Sequence, residues 1–193
     1  MAYCCSLITA NTTAGPGEIR KLKIEDIDLD ARRFHIREGA KNNKRRRPIP
    51  LNDDAMWAMR ELYHRALEKG SIYPHHYLLP HRAHVKGAGW DPLRPMGSWR
   101  TAWEALRTAA GMPKLRMYDL RHHAITRLLE NPDISERTVI ELAGHVSNRM
   151  LDTYSHQRVE AKIKAVEALS NGHTPKPVAP VLHLMRKLAA SES

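Results

Sequence analysis

Four residues in this chain carry side chains that could work together on a phosphodiester: Tyr154, His145, Arg121 and Lys41. His145 follows Gly144 and precedes Tyr154 by nine residues. Arg121 stands in Tyr118-Asp119-Leu120-Arg121-His122-His123, and Lys41 heads the basic run Lys41 to Arg47. Attack on a phosphodiester needs a nucleophile, neutralisation of the equatorial oxygens and a proton for the departing oxygen. A phenol titrates near ~10 in isolation, so it attacks only where positive charge surrounds the phosphate. A guanidinium matches two phosphate oxygens with one planar fork. An ammonium or imidazole within reach can protonate the leaving oxygen. Singly, each residue reads more simply as a packing or solvent-facing group.

The elements that must position these groups are legible in outline. The apolar opening, Met1 to Ala10, lacks a positive leader and reads as a buried helix, as though the chain begins inside a longer parent. Pro16 and Gly17 open a short helix carrying Glu18, Ile19 and Leu22. Ile24 to Leu29 is expected as a first strand and Phe34 with Ile36 as a second. Gly39 to Arg46 forms a hairpin tip, and Arg47 to Leu51 returns as a third strand, confined to an edge by Pro48 and Pro50. A helix capped at Asn52 or Asp53 runs to about Lys69, with Ala55, Met56, Met59, Leu62, Tyr63 and Ala66 on one face. Gly70 to Pro95 reads as a loop. Ser98 to Ala110, Met117 to Glu130, Ser135 to Ala143, Asn148 to Thr153 and Gln157 to Leu169 read as helices. The fold class is therefore α+β, mainly helical, with a small three-stranded antiparallel sheet near the start. Residues 1–170 form one domain, 171–180 a linker, and 181–193 a tail with Val181, Leu184, Met185 and Leu188 at helical spacing.

Lys and Arg outnumber Asp and Glu by 31 to 21, a net charge of +10. An excess of that size favours a polyanionic partner, because released counterions drive binding to phosphates. Only Cys4 and Cys5 are present, and adjacent cysteines rarely meet disulfide geometry, which suits a reducing compartment. No apolar run reaches the ~20 residues needed to span a bilayer, so no membrane association is expected. His75, His76, His81 and His84 crowd one loop, but no cysteine or acidic residue of matching spacing joins them, so no metal site is assigned.

Together these motifs resemble the tyrosine recombinase (phage integrase) family over about residues 11–168. The family's histidine-two-residues-arginine box falls on Tyr118 to Arg121. Its leucine-glycine-histidine box falls on Leu142-Ala143-Gly144-His145, its nucleophile on Tyr154 and its hairpin lysine on Lys41. Gly17-Glu18-Ile19 to Leu22, then Asp26-Ile27-Asp28, match its first box after the arginine. The resemblance implies a catalytic domain whose N-terminal DNA-clamping domain is absent from this chain. Tyr154 would cleave one strand of duplex DNA to give a 3′-phosphotyrosyl link. Arg121 and His145 would hold the phosphate, and Lys41 would act as general acid. Bond energy stays in the covalent link, so no cofactor, ATP or metal is implied. Lys44, Arg45, Arg46 and Arg47 would position the DNA backbone. The tail would pack on a neighbouring protomer on DNA, in the cytoplasm with the nucleoid.

Two departures from the family stand out. Its first arginine belongs three residues before Glu18, and that position is Gly15. Losing a phosphate clamp costs about 2.7–4 kcal/mol, or roughly a hundredfold or more in rate. Arg20 lies on the other side of the glutamate and projects elsewhere. Tyr118 replaces the box histidine, and its phenol can still donate one hydrogen bond. An impaired recombinase and a recombinase-like DNA-binding protein that no longer cleaves both fit; a type IB topoisomerase-like relaxing enzyme uses similar chemistry.

Overall fold

The computed structural model describes residues 1–37, 46–82, 89–131, 133–144, 146, 163 and 166–169. The chain divides into two compact units, Met1–Gln157 and Arg158–Ser193. In the second, only 163 and 166–169 are described; Ile163, Val166 and Leu169 are exposed. The expected helix at Asn148 to Thr153, the linker and the tail lie outside the described residues.

In the first unit, α1 (Ala2–Thr12) is the helix expected of the apolar opening. It buries hydroxyls as well as apolar groups, and the hydroxyls turn back on its own carbonyls: Thr9 Oγ1 donates to Cys5 O at 2.9 Å and Thr12 Oγ1 to Ile8 O. A buried hydroxyl with a partner avoids most of its desolvation penalty. Cys4 and Cys5 are both free and buried. α2 is the single turn Pro16–Ile19, with proline at its start.

The first strand is shorter than expected. Asp26 Oδ2 accepts the Lys23 N–H at 2.9 Å and closes a 3₁₀ turn over Ile24–Asp26. That leaves β1 as Ile27–Asp28, followed by β2 (Arg33–Ile36) and β3 (Arg47–Pro50). The sheet is antiparallel in the order β1-β2-β3, with Ile27 opposite Phe34 and Phe34 opposite Ile49. β3 is an edge, as its two prolines require. Phe34, Ile36 and Ile49 are fully buried on one face, worth about 1.5–3 kcal/mol each.

Asn52 caps α3 (Asp53–Glu68) by accepting the Ala55 N–H at 3.0 Å, with Asp53 and Asp54 in the first turn. Ala55, Met56, Met59, Leu62 and Ala66 are buried, and Tyr63 is partly so. The segment expected as a loop contains a two-stranded ribbon, β4 (Pro80–Arg82) with β5 (Trp90–Pro95). Three prolines and a register shift at Pro80/His81 hide it from any alternation pattern. α4 (Arg100–Ala109), α5 (Met117–Glu130) and α6 (Glu136–Ala143) follow. The main core joins α1, α3 and the sheet, and a smaller one joins Ile125, Leu129, Val139, Ala143 and Val146.

Candidate active site

Arg121 lies one turn into α5, whose start is fixed by Asp119 accepting the Arg116 N–H at 2.9 Å. Its side chain is almost wholly buried, at a meeting of four segments. Nη1 donates to Thr13 O at 2.5 Å and to Glu18 Oε2 at 3.0 Å, and Nη2 donates to Ala143 O at 2.6 Å. A guanidinium has five N–H groups, so among the described residues three are engaged. Thr13 adopts a left-handed conformation at φ 61°, rare for a β-branched residue. That conformation costs of order 1–3 kcal/mol. The two bonds that hold it are the one from Arg121 and one from Thr13 Oγ1 to Leu142 O at 2.9 Å.

Glu18 is the hub. Its Oε2 accepts the Gly15 N–H at 2.8 Å as well as Arg121, and Arg47 forks onto it, Nη1 to Oε1 at 2.9 Å and Nη2 to Oε2 at 3.1 Å. Burial by itself pushes the Glu18 carboxyl up. The hydrogen bonds from Arg47 and Gly15 and the charges of both arginines outweigh it, so the pKa lies below its ordinary value. Two guanidiniums against one carboxylate leave these three groups with a net single positive charge.

α6 begins at Ser135, whose hydroxyl accepts the Thr138 N–H, and ends at Gly144, where φ is +70°. Its last carbonyls, which carry the negative end of the helix dipole, are held by the arginines: Leu142 O by Arg47 Nε at 2.7 Å and Ala143 O by Arg121. A Cβ on Gly144 would lie 2.7 Å from Arg47 Nη1. The left-handed backbone there favours glycine, and a side chain would press against the Arg47 guanidinium, immediately before position 145.

Position 15, where the family's first arginine belongs, is the residue before α2. A Cβ there would meet Arg121 Nη1 and Glu18 Oε2 at 3.5 Å each, ordinary contact distances. Gly15 and Arg121 are therefore neighbours. Tyr118 is half exposed, its ring centroid 5.9 Å from the Arg121 guanidinium carbon and edge-to-face with His122 at 4.8 Å. Arg20 turns away from the hub. Its Nη1 donates to Gly97 O, and it lines a cavity of about 320 Å³ with Pro16, Trp99, Arg100 and Trp103.

The remaining expectations divide. Lys41, Lys44, Arg45, His145 and Tyr154 lie outside the described residues, as does His84. Arg46 is exposed. Arg47, expected alongside it to meet DNA, is turned inward onto Glu18, because alternation along β3 buries 47 and 49 and exposes 48 and 50. Sequence reasoning placed Glu18 in a box but missed its role as hub. The signal for Arg47 was the period of two. Among the described residues no three His, Cys, Asp or Glu side chains gather for a metal, and no helix is long and apolar enough to cross a membrane.

Residues 2–161 match the model of the phage integrase family. The shufflon-specific DNA recombinase of Escherichia coli is 26% identical over 168 residues, covering 87% of this chain and 38% of its own length. XerA recombinase is similar in structure, with a TM-score of 0.60 at 21% identity over 90% of this chain and 57% of its own. The transposon Tn1549 integrase, solved with a circular intermediate DNA, gives 0.56 at 16% identity over 85% of this chain and 58% of its own. The chain thus spans well under two thirds of each relative. With the boxes around Glu18 and Arg121 folded against one another and most of the chain matched, this protein belongs to the phage integrase family and has the fold of a tyrosine recombinase catalytic domain.

Proposed function

We propose that this chain is the catalytic part of a site-specific DNA strand transferase working through a 3′-phosphotyrosyl intermediate. Tyr154 attacks a backbone phosphorus and expels a 5′-hydroxyl; Arg121 and His145 hold the phosphate, with Tyr118 beside Arg121; Lys41 protonates the departing oxygen. Lys44, Arg45 and Arg46 steady the duplex through its phosphates. The observation that carries the reading is the buried Arg121, anchored to Glu18 and to the carbonyl of Ala143, two residues before His145. The relatives named above, a DNA recombinase and an integrase solved with DNA, support a duplex partner.

A second reading, a recombinase-like DNA-binding protein without cleavage, is favoured by Gly15. It leaves no side chain beside Arg121 where a second phosphate clamp belongs. The deciding experiment incubates the chain with nicked suicide duplexes and looks for a covalent adduct on Tyr154. The expected result is a slow adduct, absent in Tyr154→Phe and raised about a hundredfold or more in Gly15→Arg. No adduct from either chain despite DNA binding selects the binding protein.

Residues 1–170 are proposed as the catalytic domain, with 171–180 a linker to a tail that joins protomers on DNA. The apolar spacing of Val181, Leu184, Met185 and Leu188 motivates this. Truncation after residue 180 should abolish cooperative assembly on DNA; unchanged cooperativity rejects it. The cellular site that follows is the cytoplasm, with the nucleoid.

A further inference from the structure

Two guanidiniums face the carboxylate of Glu18, and they hold it differently. Arg47 takes both oxygens, at 2.9 and 3.1 Å, whereas Arg121 gives one N–H to Oε2 and keeps its other bonds for Thr13 O and Ala143 O. The side chains of Arg47 and Arg121 are 5% and 9% exposed. Their charges are therefore felt at low dielectric.

We propose that Arg47 is the positioning residue of the site. Its fork occupies Glu18, so that this carboxylate does not capture Arg121 in a two-oxygen pair. Its charge leaves the Glu18–Arg47–Arg121 group with one net positive charge to meet a phosphate. Its Nε bond to Leu142 O, passing over the bare Gly144, sets the turn that leads into His145. The proposal rests on the reading that Arg121 serves a phosphate.

Bidentate arginine–carboxylate pairs are stronger than single bonds. A buried carboxylate left with one guanidinium draws it into such a pair. Without Arg47, Glu18 and Arg121 sum to zero charge, and Arg121 is pulled round toward Oε1. Removing the carboxylate as well restores the single positive charge and frees Arg121 again. Arg47 touches no reacting atom in this scheme and acts through Glu18 and the end of α6.

The test is a double-mutant cycle on the full chain: wild type, Arg47→Ala, Glu18→Gln and Arg47→Ala/Glu18→Gln. The first readout, in the free protein, is the side-chain N–H resonances of Arg121, assigned by their loss in Arg121→Lys. The expected result is a shift and slowed proton exchange in Arg47→Ala, reversed in the double variant. The second readout is the Tyr154 adduct on nicked duplex. It should fall about tenfold or more in Arg47→Ala and recover most of that loss in the double variant. A residue that only supports the fold would not be rescued by a second substitution. Arg121 resonances unmoved by Arg47→Ala, or a double variant no better than the single one, overturns the proposal. If no chain gives an adduct while the resonances follow the cycle, the cleavage reading fails and the role of Arg47 stands. Should Arg47→Ala not fold, Arg47→Lys decides: it keeps the charge but loses the fork, so its Arg121 resonances should lie between wild type and wholly captured. Resonances identical to wild type would overturn the proposal.

Discussion

Glu18 and Asp26 stand eight residues apart and do the same local job, yet their surroundings treat them in opposite ways. Each closes a short helical turn by accepting a backbone N–H three residues earlier, from Gly15 and Lys23 respectively. Each is largely removed from solvent and paired with arginine. The Glu18 pKa is lowered, whereas burial raises that of Asp26 despite the Lys23 N–H and the nearby Arg37. The difference lies in the partners. Glu18 meets two buried guanidiniums, both of its oxygens accepting hydrogen bonds. Asp26 meets one guanidinium that is 53% exposed, and its Oδ1, although 3.1 Å from Arg37 Nε, is not aligned to accept from it. A solvated cation at a poor angle does not offset desolvation; two dry ones at good angles do.

The largest effect that would sharpen this contrast comes from Arg121→Ala. It removes the Arg121 bonds to Thr13 O and Ala143 O and leaves Glu18 with one guanidinium of two. The expected loss is about 3–5 kcal/mol in urea unfolding, the cost of breaking a buried pair. A loss no larger than that of a surface substitution would mean the pair is as idle as the one at Asp26.

Gly144→Ala attacks the same network from the other side. It imposes a left-handed alanine and drives a methyl into Arg47, loosening the fork on Glu18. Gly111→Ala is its control, since φ there is +72° and a Cβ would meet nothing within 4 Å. Gly111→Ala should cost about 1 kcal/mol. Gly144→Ala should cost about 1–3 kcal/mol more, the penalty of overpacking. Equal losses would show that Arg47 yields freely.

Acid titration of stability separates the two carboxylates by sign. A lowered folded pKa means that Glu18 stabilises above its ordinary value of 4.5, and that this is lost as pH falls through the lowered one. Glu18→Gln should therefore flatten the acid limb of a melting-temperature profile. Asp26 runs the other way: its raised pKa favours the fold when protonated, below the ordinary 3.8, and that advantage fades as pH rises through the raised value. Asp26→Asn should gain on wild type over that rise. Both variants moving the profile in one direction would dissolve the contrast. The smallest change belongs to Arg37→Gln, about 0–1 kcal/mol at low salt and less at high salt, because the pair is half solvated.

Much of this was legible beforehand, where the signal is local. α3 was readable from Asn52 and its apolar stripe, and α5 from Met117 to Glu130 in full. β1 was overextended because Asp26 competes for the Lys23 N–H, a side-chain effect that apolar spacing does not reveal. The β4–β5 ribbon escaped because its register depends on pairing across the intervening residues 83–89, and its prolines mimic a loop. At the site, the box around Arg121 and the place of the missing arginine at position 15 came from resemblance to the family, whereas the nearness of Gly15 to Arg121 is a finding of the fold. The convergence of β3 and α5 on Glu18, with the ends of α1 and α6 held by the same two arginines, was not legible either, since only tertiary packing joins segments as distant as Thr13 and Leu142. Arg47 shows both sides: its place in a basic run suggested an outward cation, while its parity with Ile49 pointed inward.

The adjacent thiols on α1 have a practical consequence. Both are held above their ordinary pKa by burial, Cys5 at about 12. At neutral pH both thiols stay protonated and shielded, so maleimides and disulfide dyes react with them slowly. A single cysteine introduced at exposed Ser98 would take up a fluorophore without deleting either native sulfur. Modification of the native pair, when it does come, is a stopwatch on how often the first helix peels away from α3.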